Sequence, residues 1–307
     1  MPIDLKNKKI LVTGAGGFLG QHIVEKLKSR GVSGKNIRAP RSKEIDLRKK
    51  ENCEKAVEGV DLVVHAAGVT GGVQFHKEHP AEIFYDNLMM GVELMEAARI
   101  KNIEKFIAIG SATEYPDNAP LPYREEDIWL GPPEESHAPY TTAKRMLLVE
   151  GQAYRKQYGM NVIHLLPTNM YGPRELDSFV IPALIKKIGE AKKNGAESIE
   201  LWGTGKPTRD FLYVEDAAEG IILALEKYDK PEPANLGSGW EISIRELAEI
   251  VSRLMGFNGS VRWDSSKPDG QMRRMLDTSR ADREFGFRAA TDFETGLKKT
   301  IEYHTGK

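Results

Sequence analysis

The chain has 307 residues, enough for one large domain or for a domain carrying a smaller second one. Its 44 Lys and Arg nearly cancel 45 Asp and Glu, so no global field draws it to nucleic acid or anionic lipid, and an anionic ligand must be met by local Arg or Lys. The single cysteine excludes an internal disulfide or a Cys-based metal site and points to a reducing compartment. Cys53 lies in KKENCEKAVEGV and reads as a structural thiol on a helix. The N-terminal MPIDLKNKK lacks an apolar core for export, and no apolar run approaches ~18 residues, so a cytoplasmic chain without a membrane span is expected.

The first 30 residues read as strand, glycine turn and helix: KKILVT, GAGGFLG, then QHIVEKLKSRG with apolar residues in helical spacing. Gly14, Gly17 and Gly20 suit a tight turn, a close approach to a diphosphate, and close packing of helix on strand. The phosphates would rest on the helix N-terminus. A second strand runs through Ile37 into GKNIRAPRS, where Arg38, Arg41 and Ser42 stand with no carboxylate before Glu44. Arginine at this place suits the 2′-phosphate of NADP, whereas NAD is held by an acidic residue.

The alternation continues with EIDL, a helix over KKENCEKAVEG, a strand at 60–68, a helix from AEIFYDNLMM, and a strand KFIAIGSATEYP. A helix at about 139–157 and a strand NVIHLLPTNMYGP follow. This order predicts an α/β fold with a doubly wound parallel sheet of Rossmann type, which binds ligands beyond the strand carboxyl ends. Ala66, Ala67 and Gly68 fall at one such end and GSATEYP at another. Beyond residue 170 the rhythm loosens. We expect residues 1–168 to form the nucleotide-binding domain, part of 208–236 to return to it, and 169–307 to form mainly a smaller substrate lobe.

Tyr140 and Lys144 in APYTTAKR are one helical turn apart on one face. A phenol needs a nearby cation to act in proton transfer near neutrality, and Lys144 supplies one. With Ser111 on the neighbouring strand end, Tyr140 can exchange the proton of a carbonyl/alcohol pair while Ser111 hydrogen-bonds the same oxygen. A hydride from a bound dinucleotide would complete a reduction. His65, His76, His79 and His164 show no metal-ligand spacing, and no metal is expected.

Taken together, GAGGFLG, the AAG strand end, GSATEY and YTTAK resemble the extended short-chain dehydrogenase/reductases. PTNMYGP, VIPALIKK, LWGTGKPTRDFLYVEDAAEGI and KPDGQMRRMLD are similar, more narrowly, to the GDP-L-fucose synthase family of GDP-4-keto-6-deoxymannose 3,5-epimerase/4-reductases. The resemblance spans nearly the whole chain and implies NADP(H), a nucleotide-sugar substrate and a homodimer. It also implies a reductase trio of Ser111, Tyr140 and Lys144. Substrate contacts are implied at Asn169, Phe179, Lys187, Trp202, Arg209 and Lys267, and further cofactor contacts at Phe18, Leu19, Asp46, Leu47 and Pro167. Arg274 reads as a surface charge.

Two positions depart from the family. Thr113 stands where it has a catalytic Cys, and Phe179 where it has a catalytic His. Neither exchanges protons near neutral pH, so the expectation is a 4-keto nucleotide-sugar reductase in which Thr113 hydrogen-bonds the sugar and double epimerisation is lost. Glu114, on an expected strand, should face away from the place of Thr113, and His137 reads as a substrate contact or surface residue rather than a base. The alternatives are a nucleotide-sugar 4-epimerase with bound NAD(P), a full synthase with replacement acid/base residues, and a nucleotide sensor on the same fold.

Overall fold

The apolar run before the glycine turn forms a strand, Ile10–Thr13 (β1), buried along its whole length. A strand with no exposed side needs a layer on each face, the pattern of a parallel sheet covered by helices. The computed structural model describes residues 2–306. After β1 come α1 (Phe18–Ser29), β2 (Ile37–Arg38), α2 (Lys50–Ala56), β3 (Leu62–His65), α3 (Val73–Glu78), α4 (Pro80–Ile100), β4 (Lys105–Ile109), α5 (Ala138–Tyr158) and β5 (Val162–Pro167). They are followed by β6 (Asn169–Tyr171), α6 (Val180–Lys193), β7 (Ser198–Trp202), β8 (Thr208–Arg209), β9 (Phe211–Tyr213), α7 (Val214–Lys227) and β10 (Ala234–Leu236). The chain closes with β11 (Ile242–Ser243), α8 (Ile244–Leu254), β12 (Ser260–Asp264), β13 (Arg273–Arg274), α9 (Ser279–Phe285) and α10 (Phe293–Thr305).

Six strands build one parallel sheet in the order β10-β5-β4-β3-β1-β2. The chain moves outward from β1 to β2, then crosses back to β3 on the other side of β1, so the crevice at their carboxyl ends is the switch point where such sheets bind ligands. Register levels those ends: Thr13 pairs with His65, and His65 with Ala108. One apolar core joins the sheet to α1 and α7, through Ile23, Leu27, Ile221 and Leu225. A second joins its other face to α2, α4 and α5, through Cys53, Leu94, Ala98 and Leu147. The Cys53 thiol donates to the Leu47 carbonyl at 3.0 Å, and burial pushes it up to about 12, so it is inert packing.

A third core, with Tyr171, Ile181, Phe211, Leu247 and Phe293, lies among the later elements. Their strands form small sheets: β6 with β9, β7 with β12, and β8 between β11 and β13. Three expected strands end early, the one at 60–68 already at His65. β4 stops at Ile109, and Ala112–Glu114 is a 3₁₀ turn capped by Ser111. NVIHLLPTNMY divides into β5 and β6, which belong to different sheets, because Thr168 donates its N–H to Leu236 and its hydroxyl to Asp210 at the junction.

Candidate active site

At the switch point Gly14 has φ +69°, and a Cβ there would lie 2.8 Å from the Ala66 carbonyl and the Ala67 nitrogen, so only glycine allows the two strand ends to close. Thr13 ties them, its hydroxyl bonding His65 Nδ1 at 2.9 Å and accepting the Ala67 N–H at 3.1 Å. Helix α1 opens at Gly17 with no side-chain cap and no carboxylate in its first turn, which leaves N–H groups for an anion. Phe18 is half-buried, while the Leu19 side chain enters the core.

The second strand end differs from expectation. Arg38 Nη1 donates to the carbonyls of Lys55, Ala56 and Glu58 at 2.9–3.0 Å, so this guanidinium caps the end of α2. The Asp46 carboxylate is engaged by Arg48 at 2.9 and 3.0 Å, and the Leu47 side chain is in the core. Arg41 and Ser42 are exposed, and their side chains make no hydrogen bond among the described residues. Pro167, buried in β5, pairs with Leu236.

Tyr140 sits in the first turn of α5 and Lys144 one turn on, with Lys144 Nζ 5.8 Å from the Tyr140 ring centre. Burial lowers Lys144 to about 8, against the Glu114 charge, and burial with that same charge raises the Tyr140 phenol. Asn87 on α4 holds the AAG loop over Lys144: its Oδ1 accepts the Val69 N–H at 3.0 Å and its Nδ2 donates to the Val69 carbonyl at 2.8 Å. Ser111 Oγ accepts the Thr113 N–H at 3.2 Å and the Thr113 hydroxyl at 2.9 Å, and Thr141 Oγ1 donates to Thr113 Oγ1 at 3.2 Å. Ser111, Thr113 and Thr141 thus form one hydroxyl chain beside the Tyr140 and Lys144 turn.

Glu114 is wholly buried, and the reason is the 3₁₀ turn, which curls its carboxylate back to the Ser111 N–H and to His164. Strand alternation does not apply to it. The structure also brings a distant histidine to this turn: the His76 ring on α3 is 5.6 Å from Tyr140 and 4.6 Å from His137, whose Nδ1 bonds Glu134 at 2.6 Å. Burial lowers His76 to about 4, so its ring is neutral near pH 7.

In the later elements Arg209 on β8 lies in register with Arg274 on β13, both half-buried, with no carboxylate paired to either among the described residues. Burial, then the charge of Arg274, lowers Arg209 to about 10. Lys267 Nζ is 5.8 Å from the centre of the Trp202 ring, which is 72% exposed. Asn169 begins β6, and Phe179 caps α6, half-buried. Lys187 is exposed, and its ammonium donates to the Glu200 carbonyl.

A family model described as the NAD dependent epimerase/dehydratase family matches residues 10–237. The chain belongs to that family. A GDP-L-fucose synthase of Sinorhizobium fredii is 41% identical over 97% of this chain and 96% of its own length. A GDP-L-colitose synthase of Yersinia pseudotuberculosis is 33% identical over 96% and 97%. The GDP-mannoheptose C4 reductase of Campylobacter jejuni, a structure with NADP bound, superposes with a TM-score of 0.90 at 28% identity over 99% of this chain and 100% of that one.

In this member of the epimerase/dehydratase family, several groups of the site belong to no local sequence pattern. Arg274, expected as a surface charge, has no local link to Arg209, and only the β8–β13 pairing brings the two together. Asn87 and His76 carried no signal, since a helical Asn or His reads as packing until its partners are known. Glu114 meets His164 through a 3₁₀ turn at a place where the sequence pattern predicts a strand.

Proposed function

We propose that this chain reduces the ketone of a 4-keto GDP-sugar, a GDP-4-keto-6-deoxyhexose or a close analogue, with NADP(H). The observation that carries the reading is the α5 turn that sets half-buried Tyr140 over buried Lys144, beside Ser111 at the strand ends. Tyr140 gives its proton to the carbonyl oxygen, the Lys144 ammonium stabilises the phenolate that remains, and Ser111 Oγ hydrogen-bonds the same oxygen. The uncapped α1 N-terminus fits the cofactor diphosphate, and exposed Arg41 and Ser42 fit a 2′-phosphate. When bound, NADPH supplies the hydride. Two adjacent arginines without a carboxylate repel each other and lose hydration, so Arg209 and Arg274 suit the substrate diphosphate. Trp202 offers a stacking face, with Lys267 beside it. Residues 1–168 with 214–236 form the cofactor half and most of the rest the substrate half in this reading.

Tyr140→Phe is expected to lower kcat at least ~100-fold while cofactor binding persists; unchanged turnover sinks the assignment. A second reading, in which epimerisation survives, draws on the Glu134, His137 and His76 cluster beside Tyr140. Turnover of GDP-4-keto-6-deoxymannose with NADPH in heavy water separates the two. The reductase reading expects NADPH consumption with no deuterium beside the ketone, whereas deuterium at both flanking carbons supports the second.

A further inference from the structure

Behind Ser111 lies a buried acidic group that touches neither proposed substrate nor cofactor. Glu114 is 0% exposed and His164 3%. Glu114 Oε1 accepts the Ser111 N–H at 2.9 Å, and His164 Nε2 lies 3.0 and 3.1 Å from its two oxygens. His164 Nδ1 is buried with no partner among the described residues, so the ring carries its proton at Nε2 and donates it to Glu114. A Cβ on Gly110 would overlap both Glu114 Oε1 and His164 Nε2, so the pair exists only because residue 110 has no side chain. The Glu114 carbonyl is held in turn by Arg145 Nε at 2.8 Å. A capping box on a three-residue 3₁₀ turn needs neither full burial nor a histidine partner, and this excess of construction points to a use for the charge.

We propose that Glu114, oriented by His164, is a positioning residue of the reduction: it fixes the backbone of Ser111 and sets a negative charge behind the Tyr140 and Lys144 pair. The inference rests on the reductase reading above. Three titratable groups bear on Lys144: Tyr140 from its own helix, Glu114 from the 3₁₀ turn, and His65 from the end of β3. Glu114 itself faces His164 from β5, Tyr140, Lys144 and Arg145 from α5, and Tyr115 beside it. His65 is neutral near pH 7, since burial takes it to about 3, and Tyr140 is protonated, which leaves Glu114 as the charge that opposes the effect of burial on Lys144. The Lys144 ammonium is lost as pH rises through about 8; without Glu114, burial acts unopposed and the loss begins at lower pH.

The test is the pH profile of kcat for Glu114→Gln, which keeps an acceptor for the Ser111 N–H and removes the charge. The expected result is an alkaline limb moved about one pH unit lower than wild type, a roughly tenfold loss of kcat on that limb, near wild-type kcat at pH 6.5, and unchanged KM. His164→Gln, which keeps an N–H donor, should retain the wild-type profile, and His164→Leu, which removes the donor that orients the carboxylate, should reproduce the shift. A loss of equal size at every pH, an unshifted limb, or a wild-type enzyme without an alkaline limb overturns the proposal. Should circular dichroism show Glu114→Gln unfolded, the two His164 variants carry the comparison. Tyr140→Phe keeps the outcomes apart: if it is inactive while the Glu114→Gln profile is unshifted, only this inference falls, and if it is fully active, the reductase reading falls with it.

Discussion

At the scale of single residues, the site is a set of charges placed where burial makes them consequential. Lys144 is a buried ammonium, and Arg209 is a guanidinium that burial and Arg274 have brought down to about 10. Arg41 is the opposite case, an exposed side chain in the loop after β2 that makes no hydrogen bond among the described residues. Its value would lie in meeting a phosphate, so Arg41→Ala is expected to weaken NADPH about 10-fold or more and to leave NADH nearly unchanged. Kd values for both cofactors by fluorescence titration decide this, and equal losses refute the assignment. Arg38 shows why counting arginines is insufficient, because the guanidinium nearer β2 is spent on three carbonyls of the α2 terminus.

Elements do the aiming. β1, the Gly14 turn and α1 were legible from the apolar run, the glycine spacing and the helical period, and they place an uncapped helix end over the crevice. A Cβ at Gly20 would overlap the Gly14 carbonyl, and backbone cannot move aside as a side chain can. Gly20→Ala should therefore cost about 1–3 kcal/mol by overpacking, seen as a lower urea midpoint, and should weaken cofactor binding along with it. The 3₁₀ turn after β4 was not legible. SATEY has the composition of a strand end, and its curl depends on Ser111 and Glu114 capping each other and on a histidine 50 residues away in β5.

For the whole molecule, the sheet order sets which loops meet and which helices are left uncovered. α4 and α5 pack against each other, yet Phe84, Tyr85, Val149 and Tyr158 on them stay exposed, and no helix among the described residues is long and apolar enough to cross a membrane. We propose that a second copy covers this face. Sedimentation velocity should show a dimer, and Tyr85→Lys with Val149→Glu should shift it toward monomer without loss of fold; a wild-type monomer at micromolar concentration removes the proposal. By itself the sequence determined the α/β alternation, the dinucleotide turn and the Tyr140, Lys144 and Ser111 trio, because each is a local pattern written in periodicity, glycine spacing or a one-turn offset. The tertiary structure alone decided that Arg38 serves a helix end, that Arg274 joins Arg209, that His76 meets Tyr140 and His137, and that Glu114 meets His164. Those are contacts between segments distant in the chain, set by strand pairing and by space left at Gly110, and no local pattern encodes them.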